Sequence, residues 1–196
     1  MRRPFLVLEN TDAGSRRYLF RLFGVTWAAT RCAWLGPLFW IALGIVIAAS
    51  QEHSERGWSC VPRGAGYGLL LIATNLVHTL GHIAAGRLAG SPMETNVLTS
   101  TRDVNVYREP GASAPPGRRR MRSLGGPGAN VAVGVAALAA ARTFGSRWAL
   151  MFGVMNAAVA LWTLLPIPTM DGWVVWRAGR ALGRGSATMG PAGRQP

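Results

Sequence analysis

Apolar residues along this chain gather into four blocks, at about 33–50, 65–89, 125–144 and 148–165, separated by polar stretches. Each is close to the roughly 17–25 residues that cross a bilayer as a helix. The pattern predicts an all-α integral membrane protein with about four transmembrane helices. The second and third blocks are rich in glycine and alanine. Around Gly134, the residues Ala132, Ala136, Ala139 and Ala140 offer a small-residue surface on which helices approach closely. Residues 92–109 (PMETNVLTSTRDVNVYRE) alternate Val, Leu, Thr and Tyr with polar residues, the period of a β-hairpin. A small membrane-associated β-hairpin or sheet therefore accompanies the helices. Residues 18–31 (YLFRLFGVTWAATR) read as a strand or an interfacial segment leading into the first span. The stretch 110–122 reads as a Pro/Gly/Arg linker, 174–182 as a short basic helix on the membrane surface, and 183–196 as disordered. The chain divides into a polar tail over 1–17, a transmembrane core over 18–176 and a basic tail over 177–196.

Charge adds orientation. The 196 residues are 49% hydrophobic and 15% charged, with a formal net charge of +13. Every basic side chain is arginine. A basic chain often binds nucleic acid, but these arginines lie between the apolar blocks. They are dense before the first block (Arg2, Arg3, Arg16, Arg17, Arg21, Arg31), and again in 90–124 (Arg102, Arg108, Arg118, Arg119, Arg120, Arg122) and in the tail. They are sparse in the two intervening connections. That alternation is the positive-inside pattern of four spans with both termini and the 90–124 loop cytoplasmic. Lipid bilayer, not nucleic acid, is the partner this implies. The arginine-only, Ala/Gly-rich composition fits a bacterial plasma-membrane protein. The apolar run 5–8 is too short for a signal-peptide core, so the first span serves as the targeting signal. Two cysteines, Cys32 and Cys60, make no disulfide framework.

The chemistry centres on His78-Thr79-Leu80-Gly81-His82 in the second block. Histidines four apart on a helix share a face and can bind one metal ion. In a zinc-protease HExxH helix, the glutamate after the first histidine is the general base; here that position is Thr79. The predicted topology puts both histidines near the cytoplasmic face. Gly126, Pro127 and Asn130 open the third span there, and Asp171 follows the fourth. Two imidazoles and a carboxylate make a three-ligand zinc set with one position open for water. The plainer readings are histidines that bond neighbouring helices, an Asp171 that caps a helix or turn, and an Asn130 that cross-links helices. Ionisable groups within a span are costly, which favours function.

Three motifs in order resemble those of the site-2 protease family of intramembrane zinc metalloproteases. HTLGH resembles its HExGH, GGPGAN (125–130) its GPxxN turn, and LLPIPTMDG (164–172) its NLLPIPPLDG segment. The resemblance covers about 18–176, from the Gly24–Val25 pair preceding the first span. It implies zinc held by His78, His82 and Asp171, Asn130 close to the catalytic site, and a hairpin over 92–109 lining substrate access. The departures are Thr79 for the glutamate, Thr163 for an asparagine, Trp173 for a glycine, and Arg102–Asp103 where the family has a Gly-Gly pair. Glu94, Asp103 and Glu109 lie on or near the hairpin, and none is fixed beside His78 by the helix. The expectation is a zinc metallopeptidase homologue with weak or no proteolysis that binds a transmembrane partner or substrate. The alternatives are an active protease with a displaced base and a metal-handling membrane protein.

Overall fold

The computed structural model describes residues 16–50, 60–100, 102–109 and 113–177. Two strands, β1 (Arg17–Leu22) and β2 (Val25–Ala29), precede helix α1 (Leu35–Ser50) and helix α2 (Cys60–Leu88). Strands β3 (Met93–Leu98) and β4 (Asp103–Tyr107) follow, then helices α3 (Pro116–Phe144) and α4 (Arg147–Thr163). The fold is mostly helical with one four-stranded sheet in the order β1-β2-β3-β4. Residues 17–29 and 93–107 each form a hairpin. The first turns at Phe23 and Gly24, with φ of 47° and 67°, the two positive-φ residues of a type I′ turn that follows strand twist. The second is the expected hairpin, its turn closed by the Thr99 hydroxyl, which donates to the Arg102 carbonyl at 2.6 Å. Parallel pairing of β2 with β3, from Thr26↔Thr95 to Ala29↔Leu98, joins them.

Each apolar block yields a helix, but the four-span reading is only partly carried. Helices α2 and α3, at 29 residues each, are long and apolar enough to cross a membrane. Helix α1 is apolar but has 16 residues, about 24 Å at 1.5 Å per residue, and α4 has 17. Two boundaries shift. Helix α2 begins at Cys60, and α3 at Pro116, so the end of the supposed linker is helical. Pro116 stands in the first turn of α3, where its missing N–H costs nothing, and the arginines that follow are good helix formers. Gly125–Asn130 is thus mid-helix, not a turn, with Pro127 inside the helix. Of the small-residue surface on α3, Gly134 is buried near the Gly153 carbonyl of α4, while Ala132, Ala136 and Ala139 are exposed. Residues 171–177 are helical; the rest of the expected surface helix, both tails' outer parts and His53 lie outside the described residues.

Two apolar clusters hold the frame. Ala48, Cys60, Tyr67, Leu71 and Met155 tie α1, α2 and α4 together. Val25, Trp27, Ile83 and Met93 seal the sheet against the C-terminal half of α2. The sheet is thereby fixed over the stretch that carries His78 to His82.

Candidate metal centre

Helix α2 turns His78 and His82 toward α3, and glycines make the room. A Cβ at Gly81 would collide with the Gly125 carbonyl of α3, so the glycine of HTLGH lets the two backbones touch. A Cβ at Gly126 would lie 2.5 Å from His82 Nε2 and 2.6 Å from His78 Nε2. Gly126 therefore leaves the space that the imidazoles occupy.

The hydrogen bonds fix which nitrogen of each ring carries the proton. His82 Nδ1 lies 2.8 Å from the Arg122 carbonyl; a carbonyl only accepts, so Nδ1 donates. Asn130 Nδ2 donates to the Thr74 carbonyl at 3.1 Å and to Asn156 Oδ1 at 2.8 Å. That orients the amide, so Oδ1 faces His78 Nδ1 at 2.7 Å and accepts its proton. Asn156 is held in turn by donating to the Phe152 carbonyl at 2.9 Å and to Thr74 Oγ1 at 3.3 Å. Asn130, Asn156 and Thr74 are fully buried, and buried amides must be satisfied in this way. Asn130 is thus the partner of a candidate ligand, and its helix cross-linking reading holds as well.

With both Nδ1 atoms protonated, the neutral rings turn bare Nε2 lone pairs inward. These atoms lie 3.0 Å apart. Asp171 Oδ2 lies 3.0 Å from His78 Nε2 and 3.3 Å from His82 Nε2. Three acceptor atoms facing one another repel unless a cation sits among them. Ligand atoms around a tetrahedral zinc with bonds of about 2.0–2.1 Å are roughly 3.3 Å apart. The donor set and its spacing fit that ion.

Asp171 arrives by a tight bend after α4. Thr169 has φ of 84°, a strained value for a β-branched residue. A Cβ at Gly172 would collide with the Leu164 carbonyl, so the Asp171-Gly172 pair is what lets the chain fold back. The alternative of a plain turn residue does not account for Asp171 facing both histidines.

Thr79 is buried and donates from Oγ1 to Asp103 Oδ2 at 3.2 Å. Asp103 opens β4, and its outer surface remains exposed. Crowding by protein on its inner side pushes the Asp103 carboxyl up from 3.8, against the opposing pull of Thr79, Asn96, His78 and His82. Asn96 on β3 is fully buried beside it. Glu94 pairs instead with Arg108 at 3.0 Å and Glu109 with Arg118 at 3.3 Å, so neither is offered to the site. The approach of Asp103 and the supporting roles of Asn156, Thr74 and the Arg122 carbonyl carry no motif. Two buried-type polar residues in apolar helices, Thr74 and Asn156, were the available hint.

No family model matches the sequence, and no curated protein matches it. By structure, the chain is similar to the site-2 protease from Methanocaldococcus jannaschii, with a TM-score of 0.59 and 18% sequence identity. The match covers 85% of this chain and 72% of that one. The two share a fold.

Proposed function

We propose that this chain is a zinc-binding membrane protein of the site-2 protease family, holding a transmembrane partner or substrate at the metal and hydrolysing it weakly or not at all. The observation that carries this reading is the meeting of His78 Nε2, His82 Nε2 and Asp171 Oδ2 within 3.0–3.3 Å of one another. His78, His82 and Asp171 would hold the ion. Zinc there would supply a Lewis acid and lower the pKa of a bound water to about 7. The residues of this chain do the rest: Asn130 and the Arg122 carbonyl orient the rings, as second partners do for ligating histidines generally. Apolar side chains exposed on all four helices, such as Phe39, Leu69, Val135 and Leu161, suit a lipid-facing surface. The arginine distribution supports cytoplasmic termini in a bacterial plasma membrane.

Weak proteolysis follows from Thr79. A positioned acid–base group is worth about 10²–10⁴-fold in rate, and a threonine hydroxyl cannot take up a proton near neutral pH. Protein purified in detergent should hold one zinc per chain, and His78→Ala should lose it. Cleavage of a labelled single-span peptide in liposomes should be slow for the unaltered protein. Rapid cleavage at rates typical of proteases, abolished by His82→Ala, contradicts the weak-activity reading.

A further inference from the structure

The Thr79–Asp103 hydrogen bond places a carboxyl where the helix lacks one. We infer that Asp103, held by the Thr79 hydroxyl, is the acid–base residue of this site and the source of what hydrolysis it performs. The inference rests on the metal reading above and goes beyond it by naming the group that handles the proton.

Three observations converge on it. Thr79 is the residue directly after the first histidine, and its buried side chain spends its hydroxyl on Asp103 Oδ2 at 3.2 Å. A threonine hydroxyl plus one hydrogen bond spans a reach comparable to a glutamate side chain, so the split pair puts a carboxyl near the place a helix-borne one would take. The strand that carries Asp103 is not free to drift. β4 is paired with β3 from Met93↔Tyr107 to Leu98↔Asp103, and β3 is paired with β2, which is sealed onto α2. Finally, the surroundings suit proton transfer. Asp103 accepts from Thr79, is near His78 and His82 of α2 and Asn96 of β3, and keeps an exposed side open to water.

The step balances without a further reagent. A water loses a proton to Asp103 as its oxygen bonds to the scissile carbonyl carbon, and the carbonyl pair moves to oxygen. The C–N bond then breaks as that proton passes to the leaving nitrogen, giving a carboxylic acid and an amine. Thr79 is a positioning residue: it keeps one Asp103 oxygen engaged and leaves the other for the water.

The test uses the full chain in liposomes, loaded with zinc, and a labelled single-span peptide as the probe. Asp103→Asn should bind one zinc as the unaltered protein does, and its cleavage rate should fall at least about 100-fold. Asp103→Glu, a second variant that keeps the carboxyl, should retain measurable cleavage. Thr79→Val should lower the rate less. It should also move the acid limb of the pH profile upward, since the hydrogen bond that favours ionised Asp103 is gone; a merely structural role for Thr79 leaves that limb in place. Equal rates for Asp103→Asn and the unaltered protein, or no cleavage by the unaltered zinc-loaded protein, overturn the inference and leave the metal site standing. Loss of zinc in folded Asp103→Asn makes Asp103 a ligand and also overturns it. An unaltered protein that binds no zinc overturns the metal reading, and this inference with it.

Discussion

His78 gives its Nδ1 proton to Asn130 Oδ1 at 2.7 Å, while the Asn130 amide nitrogen is tied to the Thr74 carbonyl at 3.1 Å. The amide cannot flip without losing both bonds, so His78 is locked with Nε2 inward. Asn130→Ala should lower zinc affinity about 10–100-fold, the usual cost of losing a ligand's outer partner. Asn130→Asp, which keeps an acceptor at that place, should lose less. Competition titration against a chelator of known affinity measures both. Equal affinity in Asn130→Ala would mean that the ring is oriented by packing alone.

Gly126 is a second point of leverage, because space and not bonding is at stake. The methyl of Gly126→Ala would fall 2.5 Å from His82 Nε2. Overpacking of this kind costs roughly 1–3 kcal/mol, and here it also displaces both candidate ligands. The variant should stay folded by circular dichroism, melt at lower temperature, and bind zinc at least tenfold more weakly. Unchanged zinc affinity would show that the rings have room to retreat.

Asp103 gives the metal-free protein a pH signature. Its folded-state pKa is raised above 3.8 by crowding, so the folded state holds its proton to higher pH than the unfolded chain does. The stability this contributes is full below 3.8 and is lost as pH rises through the folded value. Asp103→Asn should flatten the decline in unfolding midpoint over that window in chelator-treated protein. An identical slope in the variant would mean that the carboxyl titrates as in the unfolded chain.

Restoring the helix-borne carboxylate should depend on Asp103. Thr79→Glu alone places a second carboxyl beside the first, where the two would share a proton. Thr79→Glu combined with Asp103→Asn removes that conflict and should cleave the single-span peptide at least tenfold faster than Thr79→Glu alone. Cleavage assays on the two variants at neutral pH decide it; equal rates would mean that residue 79 and Asp103 do not share a site.

Much of the site was legible before the structure because it depends on local spacing and on topology. His78 and His82 follow from one helix turn, and Asp171 and Asn130 from the depth at which the spans begin and end. The helical start of α3 was hidden by its arginines, though Pro116 at the first turn was a usable sign. The sheet was legible only in part, with 92–109 read as a hairpin and 18–31 as a strand or interfacial segment. Its central parallel pairing joins residues about 70 apart, such as Thr26↔Thr95, and no local pattern records such a register. Asp103 was for that reason visible as a hairpin carboxylate but not as the partner of Thr79, a contact set by how the sheet lies on α2. The apolar blocks at 33–50 and 148–165 also run slightly past the helices, since α1 starts at Leu35 and α4 ends at Thr163 while apolar residues continue into the adjoining turns.

The central claim is that His78, His82 and Asp171 form a zinc site, and metal content reads it most directly. Protein purified without added chelator, or metal-stripped and then dialysed against micromolar zinc, should carry one zinc per chain. His78→Ala, His82→Ala and Asp171→Ala should each carry far less while remaining folded. Folded, unaltered protein that stays metal-free under those conditions, or that holds one zinc regardless of all three substitutions, contradicts it.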